Sequence, residues 1–276
     1  MKETDIKKLE SYSVTVRKDI IEMSRSCLTA AHPGPALSCT DIVTALYFGF
    51  MNIDPNAPEK EDRDRLILSK GHACPAQYAS LAELGFFDKS EFKNLRHPGA
   101  LLQGHPTYHK TPGVDMTAGS LGNGLGIGLG MAYYLKLKGF ESRVYVVLGD
   151  GELNEGTIWE AVMYAPQAKV NNLIVFVDVN RFQSCGACND IMPMPFIRAN
   201  WESFGWNALE INGNDMKQIV NAVNLAHSSI AKPTVIIANT VKGKGVSFME
   251  NNNSWHQHKV SEEQYNIAMK ELENAI

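Results

Sequence analysis

Asp150 lies in Gly149-Asp150-Gly151, and Asn180 directly follows an apolar run over 173–179. A carboxylate and an amide oxygen brought together suit a hard cation such as Mg²⁺, which takes oxygen ligands and shares them with phosphate groups. Alone, either residue reads as a turn former. Two further segments offer matching chemistry. His72 stands in Ser69-Lys70-Gly71-His72-Ala73, and Lys242 and Lys244 alternate with glycines after an apolar run over 233–239. Lysines among glycines past a strand end suit phosphate. Histidine titrates near neutrality and suits proton transfer or hydrogen bonds to hydroxyls. The set describes a site for a metal-bound diphosphate with histidines above it.

These residues meet only if several strand ends converge. Residues 144–148 are apolar and β-branched and stop at Gly149, while Ile158, Ala161, Val162 and Ala165 repeat at helical spacing ahead of 173–179. Strand, crossover helix and strand predict a right-handed connection and parallel pairing. Both strands then end on one sheet edge, where open α/β folds bind ligands. Residues 65–69, 208–211 and 233–239 read as further strands, the first running towards His72 and the last towards Lys242. The expected fold class is α/β, three layers with a mostly parallel sheet. It is expected as a single domain over 1–276, with 251–276 as a closing loop and helix.

Helices are expected over 4–26 (Ile6, Leu9, Val16, Ile20 and Met23 sharing a face), from Thr40 to about Phe50, ahead of Gly85, over 216–227 and from Ser261. Residues 31–35, with two prolines and a glycine, read as a break. Gly122, Gly126 and Gly130 fall on one face of a helix reaching about Leu137, a spacing that predicts tight helix contact there. The segment 96–113 is a loop rich in Pro, Gly and His, with His97 and His109 at its surface.

The net charge of −4 comes without a basic block, so no nucleic-acid surface is expected. The polar start lacks a signal-peptide core, and no apolar run is long enough for a membrane helix. Five scattered cysteines fit a reduced, cytoplasmic setting. Cys185-Gly-Ala-Cys188 lacks a second ligand pair at zinc spacing and reads as a loop of small residues.

Gly-Asp-Gly closing with Asn180 after a strand resembles the thiamine diphosphate motif. The wording GDGELNEG, followed by Trp159-Glu160-Ala161, resembles the transketolase family, as do SKGHA at 69–73, Gly104-His105-Pro106, GSLGNG at 119–124 and Ser254-Trp255-His256. The likeness runs from His32 to His256. It implies a PP-type thiamine diphosphate-binding domain and the transfer of a two-carbon ketol unit from a ketose phosphate to an aldose phosphate, as in pentose phosphate metabolism. It assigns Mg²⁺ (or Ca²⁺ or Mn²⁺ in its place) to Asp150, Asn180 and the Phe182 carbonyl. It assigns the cofactor to His72, Gly119, Ser120, Leu121, Gly151, Asn180 and Lys242, with Glu155 near a subunit contact. His32, His105 and His256 would contact the ketose and move protons.

In that family the glutamate that protonates the aminopyrimidine, and the ring's aromatic partner, lie in a second domain. No such domain precedes Ile276. The expectation is one subunit of a split transketolase, completed by a separate C-terminal subunit carrying the pyrimidine-binding domain, as a heterotetramer. Gln257-His258 replaces the family's glycine after the Ser-Trp-His segment, and Ser184–Asn189 departs from the family pattern. One alternative is a pathway-specific transketolase for a sulfosugar or branched sugar. Another is the α subunit of a 2-oxo acid dehydrogenase, against which the segments suited to sugar hydroxyls speak. A non-catalytic binding protein is a third, against which the intact Asp150/Asn180 pair argues.

Overall fold

Aliphatic and β-branched runs form five strands, β1 (Arg65–Leu68), β2 (Val144–Gly149), β3 (Leu173–Val179), β4 (Asn207–Asn212) and β5 (Thr234–Asn239). The computed structural model describes residues 3–274; the outer ends of the expected span, 1–2 and 275–276, lie outside the described residues. The sheet order is β1-β2-β3-β5-β4. Every pairing is parallel, in keeping with the expected mostly parallel sheet. Alternate residues serve opposite faces. Leu66, Leu68, Tyr145, Val147, Ile174, Phe176 and Ile236 point into one core, and Ile67, Val144, Val146, Leu148, Val175, Val177 and Ile237 into the other. Both faces are dry, which is why these strands read as continuous apolar runs.

The first face is covered by α1 (Glu3–Ser26), α2 (Pro33–Ser38), α3 (Thr40–Ala45) and α4 (Cys74–Glu83). The second carries α5 (Asn123–Leu137), α6 (Gly156–Gln167) and, after the short turn α7 (Cys188–Ile191), α8 (Ile197–Ser203). Two later helices, α9 (Met216–His227) and α10 (Glu262–Glu273), join the first face. This is the expected three-layer arrangement. Asp215 caps α9 by accepting from the Gln218 amide, and Ser261 opens α10 with a reciprocal capping box to Gln264.

Two local expectations hold only in part, for physical reasons. The break at 31–35 is shorter than expected, because Pro33 occupies the first helical position of α2, where a missing N–H costs nothing. Of the three expected glycines only Gly122 makes a close contact, since a Cβ there would come within 2.6 Å of Thr157 Oγ1 in α6, and the sheet is approached by a different pair. A Cβ on Gly124 would strike the Ser69 side chain, and one on Gly128 would come within 2.6 Å of Val146 Cγ2. Gly126 and Gly130 look away from the sheet and would meet nothing within 4 Å. Gly122 precedes the helix with φ 87°.

Candidate active site

The parallel sheet puts the C-terminal ends of β1, β2, β3 and β5 on one edge, and four chain segments leave it side by side. At the end of β2, Asp150 turns helical, and its Oδ1 accepts the Gly151 amide at 2.8 Å. At the end of β3, Arg181 takes a left-handed φ of 71°, which aims its amide at Asp150 Oδ2, 2.5 Å away. The two strand tips are thus joined. Asn180 Oδ1 accepts the Phe182 amide at 3.1 Å. Gly151 packs closely, since a Cβ there would come within 2.6 Å of Gln183 Cγ and push that side chain aside. Gly119 is required by conformation, with φ 150°.

A cavity of about 300 Å³ opens over this edge, lined by His32, Lys70, His72, Gly119, Leu121, Asp150, Gly151, Asn180, Phe182 and His256 among others. The imidazoles form a cluster above it. Ring centroids lie 5.4 Å apart for His32 and His72, 5.1 Å for His72 and His256, 5.7 Å for His32 and His256, and 6.4 Å for His32 and His105. Segment 251–258 closes the side of the site. His258 donates its amide to the Ala31 carbonyl at 3.0 Å, one residue before His32, and its ring lies 4.5 Å from that of buried Trp255. Gln257-His258 in place of glycine therefore still forms a closed loop.

Burial and neighbouring cations keep these histidines neutral. Burial, then Arg96 and His105, lowers His32 to about 4. Burial, then Lys242 and His32, lowers His256 to about 3. Burial, then Lys70, holds His72 well below its usual value, and burial with Arg96 lowers His105. A neutral imidazole both donates and accepts. Lys242 Nζ, buried and lowered to about 8 chiefly by burial, lies 2.9 Å from His256 Nδ1 and 2.7 Å from Asn253 Oδ1. An ammonium only donates, so His256 Nδ1 accepts and Nε2 carries the proton. Long-range ¹H–¹⁵N correlation spectra at pH 5.5 should find the His32 and His256 rings uncharged; a protonated ring at either position would contradict this account.

The oxygens fit a hard cation. Among the described residues no three His, Cys, Asp or Glu side chains gather as a metal cluster. An ion here would rest on one carboxylate, one amide oxygen and one carbonyl, with its remaining positions open to water or phosphate, the habit of Mg²⁺. No backbone hydrogen bond among the described residues reaches the Phe182 carbonyl, which leaves it available. Asp150 is itself held up to about 6, chiefly by burial and then by Asp178, so a nearby cation would favour its charged form. Cys188 lies against this carboxylate; burial, then Asp150, pushes its thiol up to about 12.

Of the expected cofactor residues, Ser120, Glu155 and Lys242 do not line this cavity, and Lys242 sits against the His256 ring. Gly119 and Leu121 line the cavity, while Ser120, at a bend between them, lines a separate groove between α5 and α6. Glu155, exposed at the start of α6, is placed beside Gly122 on that same side. Sequence reading missed three buried groups: Glu152, Lys70 and Asp178. Glu152 accepts from the amides of Gly122 at 2.8 Å and Gly149 at 3.0 Å and from the Ser69 hydroxyl. It thereby ties the end of β1, the glycine loop and the end of β2 together. Its signal was an acid inside a Gly-rich turn.

A family profile described as "Transketolase, thiamine diphosphate binding domain" matches residues 13–273. A subunit of the apulose-4-phosphate transketolase of Phocaeicola vulgatus is 38% identical over 271 residues, 98% of this chain and 96% of that one. The 6-deoxy-6-sulfo-D-fructose transketolase subunit SqwG of Clostridium sp. is 42% identical over 246 residues, covering 89% and 90%. Transketolase from Leishmania mexicana superposes with a TM-score of 0.90 at 26% identity, over 96% of this chain and 41% of its own. The chain thus spans less than half of the full-length transketolases it matches and nearly all of the subunits. It belongs to the transketolase family, as the thiamine diphosphate-binding part that its subunit relatives carry on a separate polypeptide.

Proposed function

We propose that this chain is the diphosphate-binding subunit of a split transketolase, moving a two-carbon ketol unit between sugar phosphates together with a second chain that carries the pyrimidine-binding domain. The convergence of His32, His72 and His256 over the Asp150–Asn180 edge carries the reading. Asp150, Asn180 and the Phe182 carbonyl would hold Mg²⁺. Gly151 and His72 would take the diphosphate side, with Gly119 and Leu121 along the thiamine. When bound, thiamine diphosphate supplies the nucleophilic carbon and the electron sink that let a carbon–carbon bond break. The protein orients the sugar and moves protons. His32, His105 and His256, all neutral at pH 7, accept a proton from one sugar hydroxyl and donate hydrogen bonds to another. Lys242 fixes the His256 tautomer so that Nε2–H points away from the lysine. Ser120 and Glu155 belong to the subunit-contact side of this reading.

The face of α5 and α6 away from the sheet supports assembly. Gly126 and Gly130 leave backbone open there, beside exposed Ile127, Tyr133, Tyr134, Leu137, Met163 and Tyr164. An apolar patch of this kind marks a protein contact, and we place the subunit contacts of a heterotetramer on it. Gly130→Leu with Ile127→Lys should weaken assembly with the partner chain by about tenfold or more, roughly 1.4 kcal/mol per decade, measured by analytical ultracentrifugation. Unchanged association would remove this face from the interface.

A ketol-transfer assay with and without the partner chain tests the whole reading. Transfer only in the mixture supports it, and full turnover by this chain alone overturns the split arrangement. A specialised sugar is the second reading, favoured by the matching-length relatives named for apulose 4-phosphate and a sulfosugar. A panel of ketose donors decides between them. No helix among the described residues is long and apolar enough to cross a membrane. The cysteines are free thiols, which supports a reduced, cytoplasmic setting.

A further inference from the structure

Beneath the proposed metal site lies a buried charge that none of the steps above uses. Asp178, inside β3 and two residues before Asn180, has no exposed surface. Its Oδ2 accepts from Asn180 Nδ2 at 3.0 Å, from the Ser38 hydroxyl of α2 at 2.6 Å and from Lys70 Nζ. Its Oδ1 accepts from the Thr240 hydroxyl after β5. Lys70, 1% exposed, also donates to the Pro35 carbonyl at 3.0 Å. A buried ion pair is a poor way to gain stability, since well-packed apolar residues usually do as well or better. A role in orientation accounts for it.

The two ends of an asparagine amide have nearly the same shape and opposite chemistry. A metal needs the oxygen. A carboxylate only accepts, so it must face the nitrogen; turning the Asn180 amide over would set oxygen against oxygen. With Nδ2 held inward by Asp178, Oδ1 faces the side where Asp150 and Phe182 stand. We propose that Asp178, neutralised by Lys70, is a positioning residue that presents the Asn180 amide oxygen to the metal. The inference rests on the reading of Asp150, Asn180 and Phe182 as the metal site. Lone removal of either charge would leave the other buried without a partner, so the pair is changed together.

The test uses two double variants of the full chain, assembled with its partner, and Mn²⁺ binding read by electron paramagnetic resonance with thiamine diphosphate present. Asp178→Leu with Lys70→Met removes the charges and the acceptor. Asp178→Asn with Lys70→Met removes the charges and keeps an acceptor oxygen. Mn²⁺ affinity should be about 10- to 100-fold weaker in the first than in the second, the usual effect of losing an outer-shell partner. Thermal unfolding is followed alongside. Equal losses in both, or parental affinity in a folded leucine–methionine variant, would overturn the proposal. A second measurement needs no substitution. The Asn180 side-chain amide protons of the parent should exchange slowly with solvent, and fast exchange would overturn the orientation directly. Asp150→Ala separates the two levels of the argument. If it leaves Mn²⁺ binding intact, the metal site itself is misassigned and the inference falls with it. If it abolishes binding while the leucine–methionine variant binds normally, only the role of Asp178 fails.

Discussion

Asp150→Ala should abolish metal-dependent retention of thiamine diphosphate while leaving the fold in place. The carboxylate is the only charged ligand in the proposed set, so its loss should exceed the roughly 10- to 100-fold cost of an outer-shell change. Stability should move little, because two effects oppose. The amides of Gly151 and Arg181 lose an acceptor, at about 0.5–1.5 kcal/mol per hydrogen bond. Against this, a carboxylate that burial and Asp178 both disfavour is removed. Calorimetric titration with cofactor and Mg²⁺, beside a thermal unfolding curve, reads both terms. Wild-type retention would contradict the metal assignment, and a collapse in unfolding temperature would make Asp150 a structural residue first.

His256→Ala should spare the cofactor and damage the sugar steps. The ring faces His32 and His72 across the cavity, and its Nε2–H is the free end of a pair fixed by Lys242. Loss of a positioned proton donor or acceptor costs about 10²–10⁴-fold in rate. A fall of that order in ketose turnover is expected, with thiamine diphosphate affinity within a few-fold of the parent. Lys242 retains Asn253 as a partner at 2.7 Å, so it does not lose its place with the histidine. An equal loss of cofactor affinity would move His256 from the sugar to the cofactor.

The β2–α6–β3 unit was legible because each strand is buried on both faces and the helix repeats at its own period. Parallel pairing then dictated that Asp150, Asn180, His72 and Lys242 emerge at one edge. The groups beneath them were hidden. Residues 173–179 read as a plain apolar run, although Asp178 sits in it and is one of the most buried charges in the fold. Its partners come from α2, from the end of β1 and from the segment after β5, and such distant hydrogen bonds leave no periodicity. The same limit explains the glycines of α5. Spacing put Gly122, Gly126 and Gly130 in one row, but only the sheet decides that Gly124 and Gly128 are the pair pressed against Ser69 and Val146. Ser120 faces the groove between α5 and α6 from a bend in the chain, a direction that motif wording does not carry.

The strand order has a consequence for how the molecule comes into being. β4 leaves the ribosome before β5, yet its one neighbour in the sheet is β5. The nascent chain must hold β4 back as a bare edge until residues 234–239 have been added, and β1 must likewise await β2 across the whole stretch between Leu68 and Val144. At ordinary synthesis speeds that second delay is on the order of ten seconds. Lys242 and the 251–258 flap follow β5 in the chain, so the pocket acquires its last wall only after the sheet is whole.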